Sequence, residues 1–203
     1  MVAHRLEPEI YNFRSLAFFS KAVERVGEES YPIHIKLDTG MHRLGFMEGE
    51  LDMLTETLGE TPSVKVATIF SHLNCSDMPQ EDRYTREQIA RFDRMSGRLA
   101  AALPYPVLCH TANSAAIERF PEAQFDMCRL GLGLYGFGFE HNDELKPVST
   151  LKSRIVQLKH LSAGEAVGYG RAGKLTRDSV TATVPMGYAD GLDRHLGCGR
   201  WSM

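Results

Sequence analysis

Residues 31–46 read YPIHIKLDTGMHRLGF. Ile33, Ile35 and Leu37 alternate with His34, Lys36 and Asp38, which is the pattern of a strand with one apolar face. The chain then breaks at Thr39-Gly40 and presents Arg43 in a turn. Lys, Asp and Arg gathered around a glycine at the carboxyl end of an apolar strand suit the place where α/β folds keep their chemistry. A structural turn could carry the same residues, so the weight lies on whether the design recurs.

It recurs three times downstream. A helix is expected near 48–59, then a strand over 64–71 (VKVATIFS) that ends in the polar loop HLNCSDMPQ. A helix over about 81–103 carries Ile89, Phe92, Met95 and Leu99 on one face. A strand at 106–110, the loop TANS and a short helix to Phe120 come next. The stretch 125–130, FDMCRL, reads as a fourth strand running into LGLGLYGFGF. Repeated βα units with long crossovers predict parallel strands. The alternation stops near residue 145 and gives way to strands and turns, in STLKSRIVQLKHL, AGEAVGYGRAG and SVTATVPMGYADG. The fold class is therefore α/β: part of a (β/α)8 TIM-like barrel over 1–145, followed by the start of a C-terminal β domain over 146–203. Asn142, Asp143 and Pro147 mark the linker. The helix NFRSLAFFSKAVERVG is read with no strand before it, and the chain ends in GLDRHLGCGRWSM with nothing after Trp201 to close an element. An internal piece of a longer protein is expected.

Composition narrows the function classes. A net charge of −3 offers no attraction to nucleic acid or to an anionic membrane. No apolar run approaches the ~20 residues that span a bilayer, and MVAHRLEPEI lacks a signal peptide's apolar core. Cysteines 75, 109, 128 and 198 form no metal-ligand spacing, so no metal site is expected. Reduced thiols in the cytoplasm are the plain expectation.

Each expected strand ends in groups that bind or transfer protons. The first gives Lys36, Asp38 and Arg43, and the second gives Ser71, His72 and Asn74. The third gives His110, Asn113 and Ser114, and the fourth gives Arg129, Gly131 and Gly133. Parallel strands would gather them at one rim. The set suits a small phosphorylated ligand: Ser114 can offer a hydroxyl and nearby backbone N–H groups, and glycines let amides approach closely. Singly, each has a plain reading. Ser114 is then a helix N-cap, His72 a satisfied half-buried histidine, and Arg129 the partner of a structural carboxylate.

The ordered motifs HIKLDTGMHRLGF, FSHLNCSD, HTANSAA, RLGLGLYG, VGYGR and VPMGYADG resemble those of alanine racemases dependent on pyridoxal phosphate. The resemblance runs from about Pro8 through nearly the whole chain. It implies a barrel carrying pyridoxal 5′-phosphate, a homodimer with shared sites, and interconversion of L- and D-alanine by two-base proton transfer for peptidoglycan. It further implies that Arg129 faces the pyridine nitrogen and that His72 lies against the ring. Ser114 with amides near Gly131 and Leu132 would hold the phosphate, and Arg43 would reach the phenolic oxygen. Lys36 matches a position that is often carbamylated, where the added charge holds that arginine. Tyr169 matches one acid/base group and Tyr188 a tyrosine at the substrate entrance.

The resemblance also names what is missing. The lysine that forms the family's Schiff base sits in a motif like VVKANAYGHG. None of the lysines here, at 21, 36, 65, 146, 152, 159 and 174, has that context. The chain as written is therefore expected to be inactive and poorly stable alone, with exposed sheet edges. Two alternatives stay open on the same fold: a serine or broad-specificity racemase, and a non-catalytic carrier of the cofactor. Tyr169 and Tyr188 argue against the carrier, and Arg129 argues against a decarboxylase.

Overall fold

Four parallel strands lie side by side in chain order, β1 (Glu9–Ile10), β2 (Tyr31–Lys36), β3 (Val64–Phe70) and β4 (Leu108–His110). The computed structural model describes residues 1–197. The chain forms two units, Met1–Val148 and a second that begins at Ser149. The crossovers of the first unit are helices α1 (Phe13–Arg25), α2 (Leu51–Gly59) and α3 (Asp82–Ala102), with the short α4 (Ser114–Arg119) after β4. No helix among the described residues is long and apolar enough to cross a membrane.

Local chemistry sets these elements. Asn12 starts α1: its side chain accepts the Ser15 N–H at 2.7 Å, and the Ser15 hydroxyl in return accepts the Asn12 N–H. Leu16, Phe19 and Val23 then fall on one face and are buried. In α3 the face read from sequence, Ile89, Phe92, Met95 and Leu99, is the buried one. Phe92, Met95 and Leu99 pack with Ile33, Ile35, Leu37, Val66 and Ile69 to make the main core, on the helix side of the sheet, while Ile89 joins Leu73, Ala112, Ala116 and Phe120 in a second cluster.

The other side of the sheet carries the chemistry, and its register is set by one irregularity. Ile33 pairs with Val66 but His34 pairs with Thr68, so Ala67 is an extra residue in β3. The shift brings Lys36, Phe70 and His110 into one row across three strands, with His34 and Thr68 in the row beneath. The alternation of β2 continues across the sheet only because of this bulge.

Two expectations are corrected. A strand does precede α1, because Glu9 and Ile10 pair with His34 and Ile35. Two residues are too few to show alternation, so their register comes from β2. The expected strand at 125–130 does not form. Phe125 has a positive φ of 48°, outside the extended region. The segment is held beside β4 partly by a side chain: Asp126 accepts the Cys109 N–H at 2.8 Å. Only the Asp126 N–H to Cys109 and the Arg129 N–H to Ala112 complete backbone bonds there, each at 3.0 Å.

In the second unit β5 (Gln157–Leu161) pairs antiparallel with β8 (Ser179–Thr183), and β6 (Ala166–Val167) with β7 (Gly173–Lys174). The readings that touched Cys198 and Trp201 lie outside the described residues.

Candidate functional site

The row Lys36, Phe70, His110 is a layered stack. The His110 ring lies flat on Phe70, with centroids 5.1 Å apart and planes 6° apart. The Lys36 ammonium sits 5.3 Å over the other part of that row, on the Phe70 ring, and pairs with Glu9 at 3.0 Å. Arg129 stacks on the same ring at 5.2 Å.

Arg129 is the hub. One terminal nitrogen donates to His110 Nδ1. The other donates to the Ser71 carbonyl at 2.6 Å and faces His72 Nδ1 at 3.3 Å and the Thr111 carbonyl at 3.4 Å. A guanidinium only donates, so both histidines accept from it at Nδ1 and carry their proton on Nε2. Burial, then the Arg129 charge, push His110 down to about 4, so its ring is neutral near pH 7. Its Nε2–H donates to Thr68 Oγ1 at 3.1 Å. The contacts run on: Thr68 Oγ1 lies 2.8 Å from His34 Nδ1, and His34 Nε2 lies 2.8 Å from a Glu7 carboxylate oxygen. The guanidinium is thus linked through three side chains, His110, Thr68 and His34, to the Glu7 carboxylate. His72 is also held below its ordinary range, by burial first and then by Arg129, Lys36 and Arg43, while Glu9 opposes.

A second cluster adjoins this one. The Ser114 hydroxyl accepts the N–H of Gly131 at 2.9 Å and of Gly133 at 3.1 Å. A Cβ on Gly133 would meet only the end of the exposed Leu130 side chain, at 2.8 Å. His72, Asn113, Ser114, Arg129, Gly131 and Leu132 line one cavity of about 470 Å³. A hydroxyl, converging backbone amides and a nearby guanidinium form a donor set that suits a phosphate monoester. Asn113, read as a strand-end group, instead caps α4 through the Ala116 N–H and accepts from Ser76.

Of the other expected residues, Asp38 serves the turn. Its carboxylate accepts the Gly40 and His42 N–H groups at 2.9 and 3.0 Å. Burial would raise its carboxyl, but these bonds and the His42 ring bring it below the usual range. The turn also needs Gly45, at φ +126°, where a Cβ would lie 2.6 Å from the Asp38 nitrogen. Arg43 is exposed on this turn, near enough to His72 to act on its charge. Lys36 faces Glu9, and a carbamate on its nitrogen would set a second anion beside that carboxylate. Tyr169 and Tyr188 belong to the second unit and are exposed, with Arg194 stacked 5.7 Å from the Tyr188 ring. Sequence reading passed over Glu7, Glu9 and Phe70. The spacing Glu7-Pro8-Glu9 was the available signal, since it sets two carboxylates on one side of an extended segment.

The family model described as alanine racemase, N-terminal domain matches residues 1–138, and that described as alanine racemase, C-terminal domain matches 148–203. An alanine racemase of Sorangium cellulosum is 36% identical over 198 residues, covering 97% of this chain and 52% of that protein. The solved alanine racemase of Streptomyces coelicolor A3(2) superposes with a TM-score of 0.88 at 28% identity, covering 96% of this chain and 53% of that one. The Bartonella henselae alanine racemase with covalently bound pyridoxal phosphate gives a TM-score of 0.76 at 27% identity, over 96% and 53% of the two chains. The chain spans about half the length of the curated relatives it matches.

Proposed function

The chain belongs to the alanine racemase family, and from that premise we propose that it forms part of an enzyme interconverting L- and D-alanine with pyridoxal 5′-phosphate. The observation that carries this reading is the single cavity lined by His72, Arg129, Ser114, Gly131 and Leu132. Ser114 and the amides of Gly131 and Gly133 would bind the phosphate, with Leu132 beside them. Arg129 would donate to the pyridine nitrogen. That nitrogen then stays unprotonated, because a guanidinium does not give up its proton. His72 would lie against the ring and Arg43 would reach the phenolic oxygen. When bound, the cofactor supplies the electron withdrawal that loosens the amino acid's α-hydrogen. Tyr169, presented by a second copy of the chain in a homodimer, would hold and return that proton at its phenolic oxygen. Tyr188 would stand at the substrate entrance. A cytoplasmic enzyme supplying D-alanine for peptidoglycan is the setting this reading implies.

The ion pair with Glu9 supports a role for Lys36 other than the carbamylated one that the resemblance implies. We propose that Lys36 stays unmodified as the cation of Glu9, since modification would turn an attraction at 3.0 Å into a repulsion. Carbon NMR in labelled bicarbonate is expected to show no carbamate in the chain as it stands and one in Glu9→Gln. A carbamate signal in the unaltered chain would discard this assignment.

The chain on its own is proposed to bind the cofactor without turning over alanine. Its lysines lack the context of the family's covalent lysine, and Lys36 is engaged by Glu9. The test is to titrate the purified chain with pyridoxal phosphate and with pyridoxal, reduce with borohydride, map adducts by peptide mass, and assay D-alanine. Tighter binding of the phosphate form, no stoichiometric adduct at one lysine and no D-alanine are expected. A full adduct at one lysine with D-alanine formed would overturn the inactivity. Equal affinity for the two forms would overturn the phosphate site.

A further inference from the structure

The glycine loop is tied to α4 at both ends of that helix. At its start the Ser114 hydroxyl takes the Gly131 and Gly133 N–H groups. At its end the Glu118 carboxylate takes the N–H groups of Phe139 at 3.0 Å, Glu140 at 2.7 Å and His141 at 3.0 Å. Burial alone would raise the Glu118 carboxyl, yet these bonds hold it below its ordinary range. Arg119 completes the attachment. Its guanidinium binds Asp82 at 2.7 Å, Glu140 at 3.1 Å and the Ser76 carbonyl at 2.7 Å. The guanidinium carbon sits 5.1 Å from the Phe120 ring and 5.0 Å from the Phe139 ring. Only 6% of its side chain is exposed. A surface glutamate serving solubility would not converge three loop amides, and a surface arginine would not be so enclosed. Charge-assisted bonds of this kind are about twice as strong as neutral ones.

We propose that Glu118 and Arg119 are positioning residues for phosphate binding. They fix the far end of the loop 131–141, so that the amides of Gly131 and Gly133 stay aimed at Ser114 and at a phosphate bound beside it. The inference rests on the phosphate-site reading above. It adds that the affinity of that site is set some distance away, on the last turn of a helix of six residues.

Two measurements on the 203-residue chain separate the inference from the reading it rests on. The first is amide hydrogen exchange at Gly131 and Gly133, which needs no cofactor. Glu118→Ala is expected to speed exchange there about tenfold, the effect of losing about 1.4 kcal/mol of restraint. Glu118→Gln, which keeps an acceptor oxygen, is expected to fall between. The second is the affinity ratio of pyridoxal phosphate to pyridoxal. The same variant is expected to lower that ratio about tenfold by the same free energy, with pyridoxal binding unchanged. Unchanged exchange at both glycines, with faster exchange confined to 139–141, would overturn the positioning role. If the unaltered chain does not discriminate between the two ligands, the phosphate reading fails, and the exchange data still decide whether Glu118 holds the loop. Should Glu118→Ala fail to fold, Glu118→Gln decides alone: no change in either readout would overturn the proposal.

Discussion

Replacing Arg129 with alanine is expected to lower the unfolding free energy of the first unit by about 3 kcal/mol and to raise the titration of His110 part of the way from about 4 toward 6.5. The first effect comes from acceptors left behind. The Ser71 carbonyl and His110 Nδ1 each lose their guanidinium donor, and a buried unpaired acceptor costs about 1–3 kcal/mol. Lysine would restore one bond but not the fork. The second effect is electrostatic and only partial, because burial is the larger cause of the His110 shift and survives the substitution. The two combine in the acid response. In the unaltered protein His110 stays neutral in the fold, while in the unfolded chain it takes up a proton below about 6.5. Stability is therefore full above about 6.5 and is lost as pH falls toward 4, by up to about 1.4 kcal/mol per pH unit. Without Arg129 the folded and unfolded values move together, so the variant is less stable at pH 7 and its stability is flatter in acid. Urea unfolding across that range and proton NMR of the His110 ring check both. A His110 titration unmoved by the substitution would show that the guanidinium charge does not act on that ring.

The strand ends were legible because the residue type changes there. Apolar alternation through Ile33, Ile35 and Leu37 passes abruptly into Asp38, Thr39 and Gly40, and similar breaks follow Phe70 and precede Ser114. A barrel's helix-facing residues obey a period of two, and its rim does not. What could not be read is the register between strands. The row of Lys36, Phe70 and His110 depends on the extra residue Ala67, and nothing in VKVATIF marks a bulge, because alanine and threonine are acceptable on either face. Glu9 was missed for a related reason. Its partner Lys36 lies 27 positions later, and only the pairing of β1 with β2 brings the two together.

The false strand at 125–130 is equally instructive. FDMCRL carries Phe, Met, Cys and Leu around its charges, and it does lie beside β4. The Asp126 carboxylate takes the place of a ladder carbonyl, a substitution that local periodicity cannot reveal. The attachment of Glu118 and Arg119 to the glycine loop was invisible too. Its contacts span about twenty positions, and on a short helix the two residues read as ordinary surface charge.

Phe92→Ala is expected to be the most damaging change among the core residues of α3, costing about 3–5 kcal/mol of a total that for a domain is about 5–15 kcal/mol. Phe92 is fully buried in the main core, so truncation removes transfer energy and leaves a cavity among strands that cannot collapse to fill it. Its ring also meets Phe125 edge to face, with centroids 5.0 Å apart and planes at 83°. Phe125 begins the segment that Asp126 ties to Cys109 and that carries Arg129. The cavity is therefore expected to loosen Arg129 as well as the core. Phe92→Leu, which keeps most of the volume, should cost about 1.5 kcal/mol or less. A double-mutant cycle between Phe92→Ala and Arg129→Ala makes the coupling measurable: the two penalties should fail to add by at least about 0.5 kcal/mol. Strict additivity would mean that Phe125 does not transmit the packing of α3 to the site. A loss under about 1 kcal/mol for Phe92→Ala alone would mean that the helix face is not the support this core requires. The reason to expect coupling is geometric. With no strand ladder at 125–130, the guanidinium at the centre of the site is held in place by one aspartate, two backbone bonds and the aromatic pair beneath them.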